Sequence, residues 1–148
     1  MPLIRTEVAD GLLIVTLSRP SANALNAAMV EELHAALARA QEPDVRGLVL
    51  ASDSRKFFCA GFDAKEVFQY DREKMTTYFG SFMDLYQGLF RLLKPTVAAL
   101  SGHTVVGGSV LALACDIRVM AEGPFRFALN EVNLGGHAVP RGRWKSDG

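Results

Sequence analysis

The sequence predicts an α/β fold, built from short buried strands that alternate with helices. Mostly apolar runs of strand length recur at 46–51, 96–100 and 116–121. A glycine-containing loop follows each of the first two runs, and segments with apolar residues at helical spacing lie between the runs. A strand, a glycine-rich turn and a helix in repeated order are typical of parallel sheets with right-handed crossovers.

The first elements are a predicted β-hairpin and a predicted helix. Two alternating runs flank Asp10-Gly11, a dipeptide that favours tight hairpin turns. The helix is predicted from Ala27 to Ala40, with Asn26 as its N-cap and with Glu31 and Glu32 in its first turn, where the helix dipole favours anions. Its predicted buried face consists of Met29, Val30, Leu33, Ala36, Leu37 and Ala40.

Two further helices and two strands follow. A glycine-containing loop at 56–64 leads to a helix predicted over 71–93. The predicted apolar face of that helix consists of Met75, Tyr78, Phe79, Phe82, Tyr86, Leu89 and Leu93. Gly107-Gly108 opens a third helix, SVLALAC, and the strand at 116–121 is followed by a last one at 125–129.

The composition is that of one globular domain with a buried core. Of the 148 residues, 49% are hydrophobic and 22% are charged, which excludes an intrinsically disordered chain. The formal net charge of zero gives no electrostatic signal for a nucleic-acid partner or an anionic membrane surface. Polar residues interrupt every apolar run, so no membrane-spanning segment is predicted. The N-terminus lacks the pattern of a signal or transit peptide, so we expect a cytoplasmic location.

Cys59 and Cys115 are the only cysteines of the chain. Each lies in an apolar or Gly/Ala setting, without a CxxC motif and without a histidine at metal-ligand spacing. We therefore predict buried reduced thiols in a reducing compartment, and no metal site.

Two glycine turns are the candidate functional loops, at 56–67 and 101–117. In the second turn, Gly107 and Gly108 stand at the start of a predicted helix, where free backbone N–H groups and the helix dipole suit an anion or a polarised carbonyl oxygen. Spacing alone is weak evidence, because a Gly-Gly pair also lets a helix pack closely against a strand.

Three motifs, in order, resemble those of the enoyl-CoA hydratase/isomerase (crotonase) superfamily. They are SRPSANALN at 18–26, FCAGFD at 58–63 and GHTVVGGSVLALACDIRVMAE at 102–122, within a resemblance that runs from about Leu3 to Leu134. The resemblance implies a crotonase-type spiral of ββα units that binds an acyl-CoA thioester. It implies no cofactor, because coenzyme A is part of the substrate.

The resemblance also implies an oxyanion hole for the thioester oxygen, made by the backbone N–H groups of Phe62 and Gly107. It places Lys56 near the CoA phosphates, although Lys56 and Lys65 also fit the pattern of solvated surface cations. The other substrate contacts that it implies are made by Ala60, Asp63, Ala64, Lys65, Gly108 and Asn130.

The acid/base groups decide which reaction the resemblance implies. Hydratases of the family use two glutamates, and this chain has Val110 at the first position and Glu131 at the second. A single base suits a Δ3,Δ2-enoyl-CoA isomerase of fatty acid metabolism, which removes a C2 proton and returns it at C4. Two alternatives stay open. One is another crotonase chemistry, as a hydratase, hydrolase or decarboxylase, and the other is a non-catalytic fragment.

The family pattern fades after Leu134, so we expect an incomplete domain at 1–137 and a disordered tail at 138–148. The resemblance implies further helices that complete the acyl pocket and form a trimer. Without them, the apolar faces of the helices at 27–40 and 71–93 should be partly uncovered, so we predict a homo-oligomer or a marginally stable chain.

Overall fold

A computed structural model describes residues 1–131, so the predicted tail at 138–148 lies outside the described residues. The strands are β1 (Ile4–Ala9), β2 (Leu12–Leu17), β3 (Gly47–Ser52), β4 (Phe57–Cys59), β5 (Thr96–Leu100), β6 (His103–Val105), β7 (Ile117–Met120) and β8 (Phe127–Ala128). The helices are α1 (Ala27–Ala40), α2 (Ala64–Val67), α3 (Arg72–Arg91) and α4 (Gly107–Ala114).

The described strands form two sheets. The larger has the order β1-β2-β3-β5-β7, in which only the β1–β2 pair is antiparallel, and the smaller is the parallel sheet β4-β6-β8. A strand of the large sheet, a strand of the small sheet and a helical segment therefore follow one another twice along the chain. This repeat confirms the predicted α/β spiral of ββα units.

The hairpin and the first helix form as predicted, with one correction. Asp10 and Gly11 have φ of 51° and 79°, as a two-residue hairpin turn requires, and the Asn26 side chain accepts from Met29 N. Glu31 and Glu32 lie in the second turn of the helix, because residues 27–30 already fill the first turn. The Glu32 carboxylate instead accepts from the backbone N–H groups of Leu3 and Ile4, at 2.8 and 3.0 Å.

The predicted apolar face of α3 is partly wrong. Phe79 is 38% exposed, and Leu93 lies beyond the end of the helix and is 99% exposed. Leu85, which the prediction left out, is buried. The residues that α3 does bury are Tyr78, Phe82, Leu85 and Leu89. They form a narrower stripe than the predicted one, because α3 packs mainly against α1 and α4.

The core lies between the large sheet and helices α1, α3 and α4. Every predicted core residue of α1 is buried, so the expectation that this helix would have an uncovered apolar face is wrong. Apolar side chains are exposed on α3, at Met83 and Phe90, and on β7, at Ile117 and Val119. Self-association through these side chains stays a prediction.

The two thiols are buried and free, as predicted. Burial raises the pKa of Cys59 to about 12 and that of Cys115 to about 11, so both thiols are protonated at neutral pH. Within residues 1–131, no three His, Cys, Asp or Glu side chains are grouped closely enough to hold a metal ion. None of the helices in that range has both the length and the apolar character needed to cross a membrane.

Candidate active site

The first candidate loop follows β4 and presents the N–H of Phe62. Leu25 N donates to Gly61 O at 2.7 Å, and Asp63 N donates to Leu25 O at 2.9 Å. These bonds use the backbone groups on either side of Phe62, so the N–H of Phe62 itself is directed away from Leu25. It has no acceptor among residues 1–131.

The second candidate loop leads into α4, whose N-terminus has no side-chain cap. The first helical N–H with an acceptor is that of Val110, which donates to Val106 O at 3.2 Å. The N–H groups of Gly107 and Gly108 therefore have no acceptor within the described part of the chain. Such N–H groups, together with the helix dipole, favour a negatively charged or polarised oxygen.

Val106, the residue before Gly107, has φ of 53° and ψ of −123°. A β-branched residue in this region costs on the order of 1–3 kcal/mol, so its surroundings must hold it there. Its N–H donates to Ala128 O at 3.0 Å. Because ψ of Val106 orients the next peptide plane, this strained residue sets the direction of the Gly107 N–H.

The structure brings the two loops into contact. A Cβ atom built on Gly61 would lie 2.6 Å from the Val106 Cβ and 3.1 Å from Gly107 N. A Cβ atom on Gly107 would lie 2.9 Å from Cε1 of the Phe62 ring. Glycine at both positions is what allows the backbones, and hence the two free N–H groups, to approach each other.

Asp63 anchors the first loop through both of its carboxylate oxygens. Oδ1 accepts from Glu66 N at 3.2 Å and so caps α2, and Oδ2 accepts from the Arg19 guanidinium at 2.7 Å. Burial raises the pKa of Asp63, but the hydrogen bond and charge of Arg19, together with hydrogen bonds from the backbone N–H groups of Glu66 and Lys65, outweigh it, so the pKa is below its ordinary value. A contact between Asp63 and the substrate stays a prediction.

Asn23 is a structural residue of the site that the sequence analysis did not single out. It is buried and has φ of 53°. Its Oδ1 accepts from Arg19 N at 2.8 Å, and its Nδ2 donates to Ser52 Oγ at 2.9 Å and to Phe58 O at 3.1 Å. These bonds join the loop after β2 to β3 and β4. An asparagine in SRPSANALN was the signal available, because asparagine tolerates left-handed backbone and bonds to it.

An aromatic cluster on α3 packs against Phe62. Its ring lies edge-on to those of Tyr78, Phe79 and Phe82, at centroid distances of 6.1, 5.2 and 4.9 Å. The Tyr78 hydroxyl donates to Leu25 O at 2.6 Å, and burial raises the pKa of Tyr78, which keeps the hydroxyl neutral. Phe79 thus contacts the site although it is partly exposed.

Asn130 and Glu131 follow β8, and β8 is hydrogen-bonded to the residue that precedes α4. β8 pairs with β6, and Ala128 O accepts from the N–H of Val106. Three peptide units connect Ala128 to Glu131, which limits their Cα separation to roughly 11 Å. Glu131 Oε2 and Asn130 Oδ1 are buried and have no hydrogen-bond partner within residues 1–131. A buried oxygen without a partner is costly, so its presence calls for an explanation such as a catalytic role.

The remaining predicted residues surround these loops. Lys56 and Lys65 are exposed and make no ion pair within the described residues, so both are available to an anion. Ala64 is the exposed first residue of α2, and half-buried Ala60 donates its N–H to Ala22 O at 2.9 Å. Gly108 is buried so closely against β4 that a Cβ atom there would lie 2.6 Å from Cys59 O.

Comparison with known proteins agrees with the family that the three sequence motifs resemble. Residues 7–144 match the family described as enoyl-CoA hydratase/isomerase. The match extends beyond Leu134, which is the expected end of the resemblance. A sequence relative, the mouse enoyl-CoA delta isomerase 1, mitochondrial, is 31% identical over 135 residues, which are 90% of this chain and 47% of that protein.

A probable enoyl-CoA hydratase of Rhizobium meliloti is 36% identical over 134 residues, covering 90% of this chain and 50% of the relative. Among solved structures, the human mitochondrial delta3-delta2-enoyl-CoA isomerase superimposes with a TM-score of 0.86 at 28% identity, over 90% of this chain and 54% of that one. The chain thus spans about half the length of the curated relatives it matches.

Proposed function

The chain belongs to the enoyl-CoA hydratase/isomerase family, and from this premise we propose that it binds an acyl-CoA thioester and shifts a double bond along the acyl chain. The observation that carries the proposal is the combination of two free N–H groups with one buried carboxylate oxygen that lacks a partner within residues 1–131. The N–H groups are those of Phe62 and Gly107, and the carboxylate is that of Glu131.

In the proposed reaction, the substrate is a 3-enoyl-CoA. Glu131 takes the C2 proton, and the electrons of the C2–H bond delocalise over the C3–C4 double bond and the thioester carbonyl. The negative charge that develops on the carbonyl oxygen is stabilised by Phe62 N–H and Gly107 N–H, and each such donor contributes about 3 kcal/mol. Glu131 then returns the proton to C4, which leaves a double bond between C2 and C3.

The isomerase reaction is favoured over hydration by the residue at position 110. Val110 is half-buried on α4 and packs against the core, so this position offers no carboxylate to activate a water. The name of the Rhizobium meliloti relative supports hydration as the second candidate. Addition of water needs a second acid/base group, which the family resemblance places at this position in hydratases.

The substrate contacts that we propose follow from the family resemblance. The exposed ammonium groups of Lys56 and Lys65 would bind the phosphates and the adenine end of coenzyme A. The backbone around Ala60, Ala64 and Gly108 would line its path toward the oxyanion hole. A role in fatty acid metabolism, a cytoplasmic location and a homo-oligomer belong to the same proposal. The mouse relative is named as mitochondrial.

The test is to give 3-enoyl-CoA and 2-enoyl-CoA separately to the wild type and to Glu131→Gln. The wild type should isomerise the first substrate and fail to hydrate the second. Loss of the base should lower kcat by about 100- to 10,000-fold and leave acyl-CoA binding nearly unchanged. Glu122→Gln is the matched control, because Glu122 is an exposed glutamate in the loop between β7 and β8.

Efficient hydration, or full isomerase activity in Glu131→Gln, would refute the assignment. Acyl-CoA binding without turnover by the wild type would instead support a non-catalytic binding protein.

A further inference from the structure

Ser109 is a buried polar residue in the first turn of α4 that the proposed reaction does not use. Its Oγ lies 2.8 Å from Thr104 O and 2.8 Å from Ala128 O. Serine in a helix commonly bonds back to its own helix or faces solvent. Here the hydroxyl instead joins α4 to β6, which precedes it, and to β8, which follows it.

The same carbonyl holds the strained turn before α4. Ala128 O accepts from Val106 N at 3.0 Å as well as from Ser109 Oγ. Val106 has φ of 53°, so it depends on such contacts to keep its conformation. Val106 and Ser109, which lie on either side of Gly107, therefore both contact Ala128 O on β8.

β8 also leads into the segment that carries Glu131. The chain runs from Ala128 to Glu131 without an intervening element, and the Glu131 carboxylate has a buried oxygen that needs precise placement. From these contacts we infer that Ser109 is a positioning residue, which fixes the oxyanion turn and the Glu131 segment relative to each other. The inference rests on the proposed function, because that function gives both groups their roles.

The first test compares Ser109→Ala with the wild type in isomerase kinetics. Loss of the hydroxyl should lower kcat by about 10- to 100-fold, because a displacement of about 1 Å can cost 100-fold. KM should change little, because Ser109 is buried and does not reach the substrate. Ser109→Cys keeps a similar shape and a weak donor, so it should recover part of the lost kcat.

Ser81→Ala is the matched control for this test. Ser81 is also a helical serine whose hydroxyl contacts another element, since its Oγ lies 3.1 Å from His34 Nε2 on α1. It belongs to neither candidate loop, so its kcat should equal that of the wild type. An equal loss of kcat in both variants, or a loss in Ser109→Ala that merely follows the unfolded fraction, would overturn the inference.

Amide hydrogen exchange gives a second reading that does not depend on turnover. Ser109→Ala should speed exchange of the Val106 N–H. It should not affect that of Leu48 N–H, which donates to Pro95 O at 2.9 Å within the large sheet. If the wild type turns over no enoyl-CoA, the proposed function fails and the exchange result alone decides the role of Ser109. An unchanged exchange rate of the Val106 N–H in Ser109→Ala would overturn the positioning role of Ser109.

Discussion

Replacing Gly61 with alanine should destabilise the protein by about 2–5 kcal/mol, although it adds a single methyl group. Gly61 has φ of 85°, a conformation that costs an alanine about 1–2 kcal/mol. The added Cβ would also lie 2.6 Å from the Val106 Cβ and 2.9 Å from Val105 O. The Val106 Cβ and the Val105 carbonyl are held by the backbone where β6 leads into α4, so neither can move aside as the end of a flexible side chain could. Such overpacking typically costs about 1–3 kcal/mol.

Gly80→Ala is the matched control, and it should raise the stability of the protein where Gly61→Ala lowers it. Gly80 lies in the interior of α3, and a Cβ atom built on it would meet nothing within 4 Å. Alanine there should stabilise the protein by about 0.5–1 kcal/mol, because it reduces the conformational freedom of the unfolded chain and favours the helix.

The assay is urea unfolding of the wild type and both variants, followed by circular dichroism. The midpoint should fall in Gly61→Ala and rise in Gly80→Ala, with the slope m unchanged in both. In acyl-CoA titrations, Gly61→Ala should also bind more weakly, because the two free N–H groups move apart. Equal midpoints for Gly61→Ala and the wild type would refute the close contact between the two loops.

Two further predictions concern pH and thiol chemistry. The pKa of Asp63 is lowered in the folded state, so its ionised form stabilises the protein above the unfolded pKa, and that contribution is lost as pH falls through the folded pKa. Asp63→Asn should therefore be less stable than the wild type at pH 7, and the difference should shrink on acidification below about pH 4 in unfolding measurements. Cys59 and Cys115, with pKa values raised to about 12 and about 11, should resist a thiol-labelling reagent at pH 8 and react once urea unfolds the chain. Rapid labelling of the folded protein would contradict their burial.

Local features of the fold could be predicted from the sequence because they depend on neighbouring residues. The turn at Asp10-Gly11 needs two residues that tolerate positive φ, and the start of α1 needs a side chain such as Asn26 that can accept from an N–H three residues on. The prediction of the buried face of α1 was also correct, because its apolar residues recur at the three- and four-residue spacing of one helix face. The candidate site residues were proposed from motif resemblance, and spacing alone would not have identified Phe62 or Glu131.

The tertiary structure decided the features that depend on contacts between distant segments. β4 and β6 have three residues each, too few to show a periodic pattern, and they are strands only because they pair within the small sheet. α3 buries Leu85 and leaves Phe79 partly exposed, because the positions of α1 and α4 determine which part of an apolar stripe is covered.

The geometry of the candidate site is also a tertiary property. The left-handed backbone of Val106 contradicts the preference of a β-branched residue, and its bond to Ala128 O helps to hold it there. The contact of Gly61 with Gly107 and the contacts of the Ser109 hydroxyl with two backbone carbonyls join segments that are separate in the sequence. The sequence by itself therefore determined the local turns, the helix cap and the buried face of α1. Only long-range packing could fix where two backbone N–H groups and one carboxylate lie, because no local preference specifies the distance between segments that meet only in the folded chain.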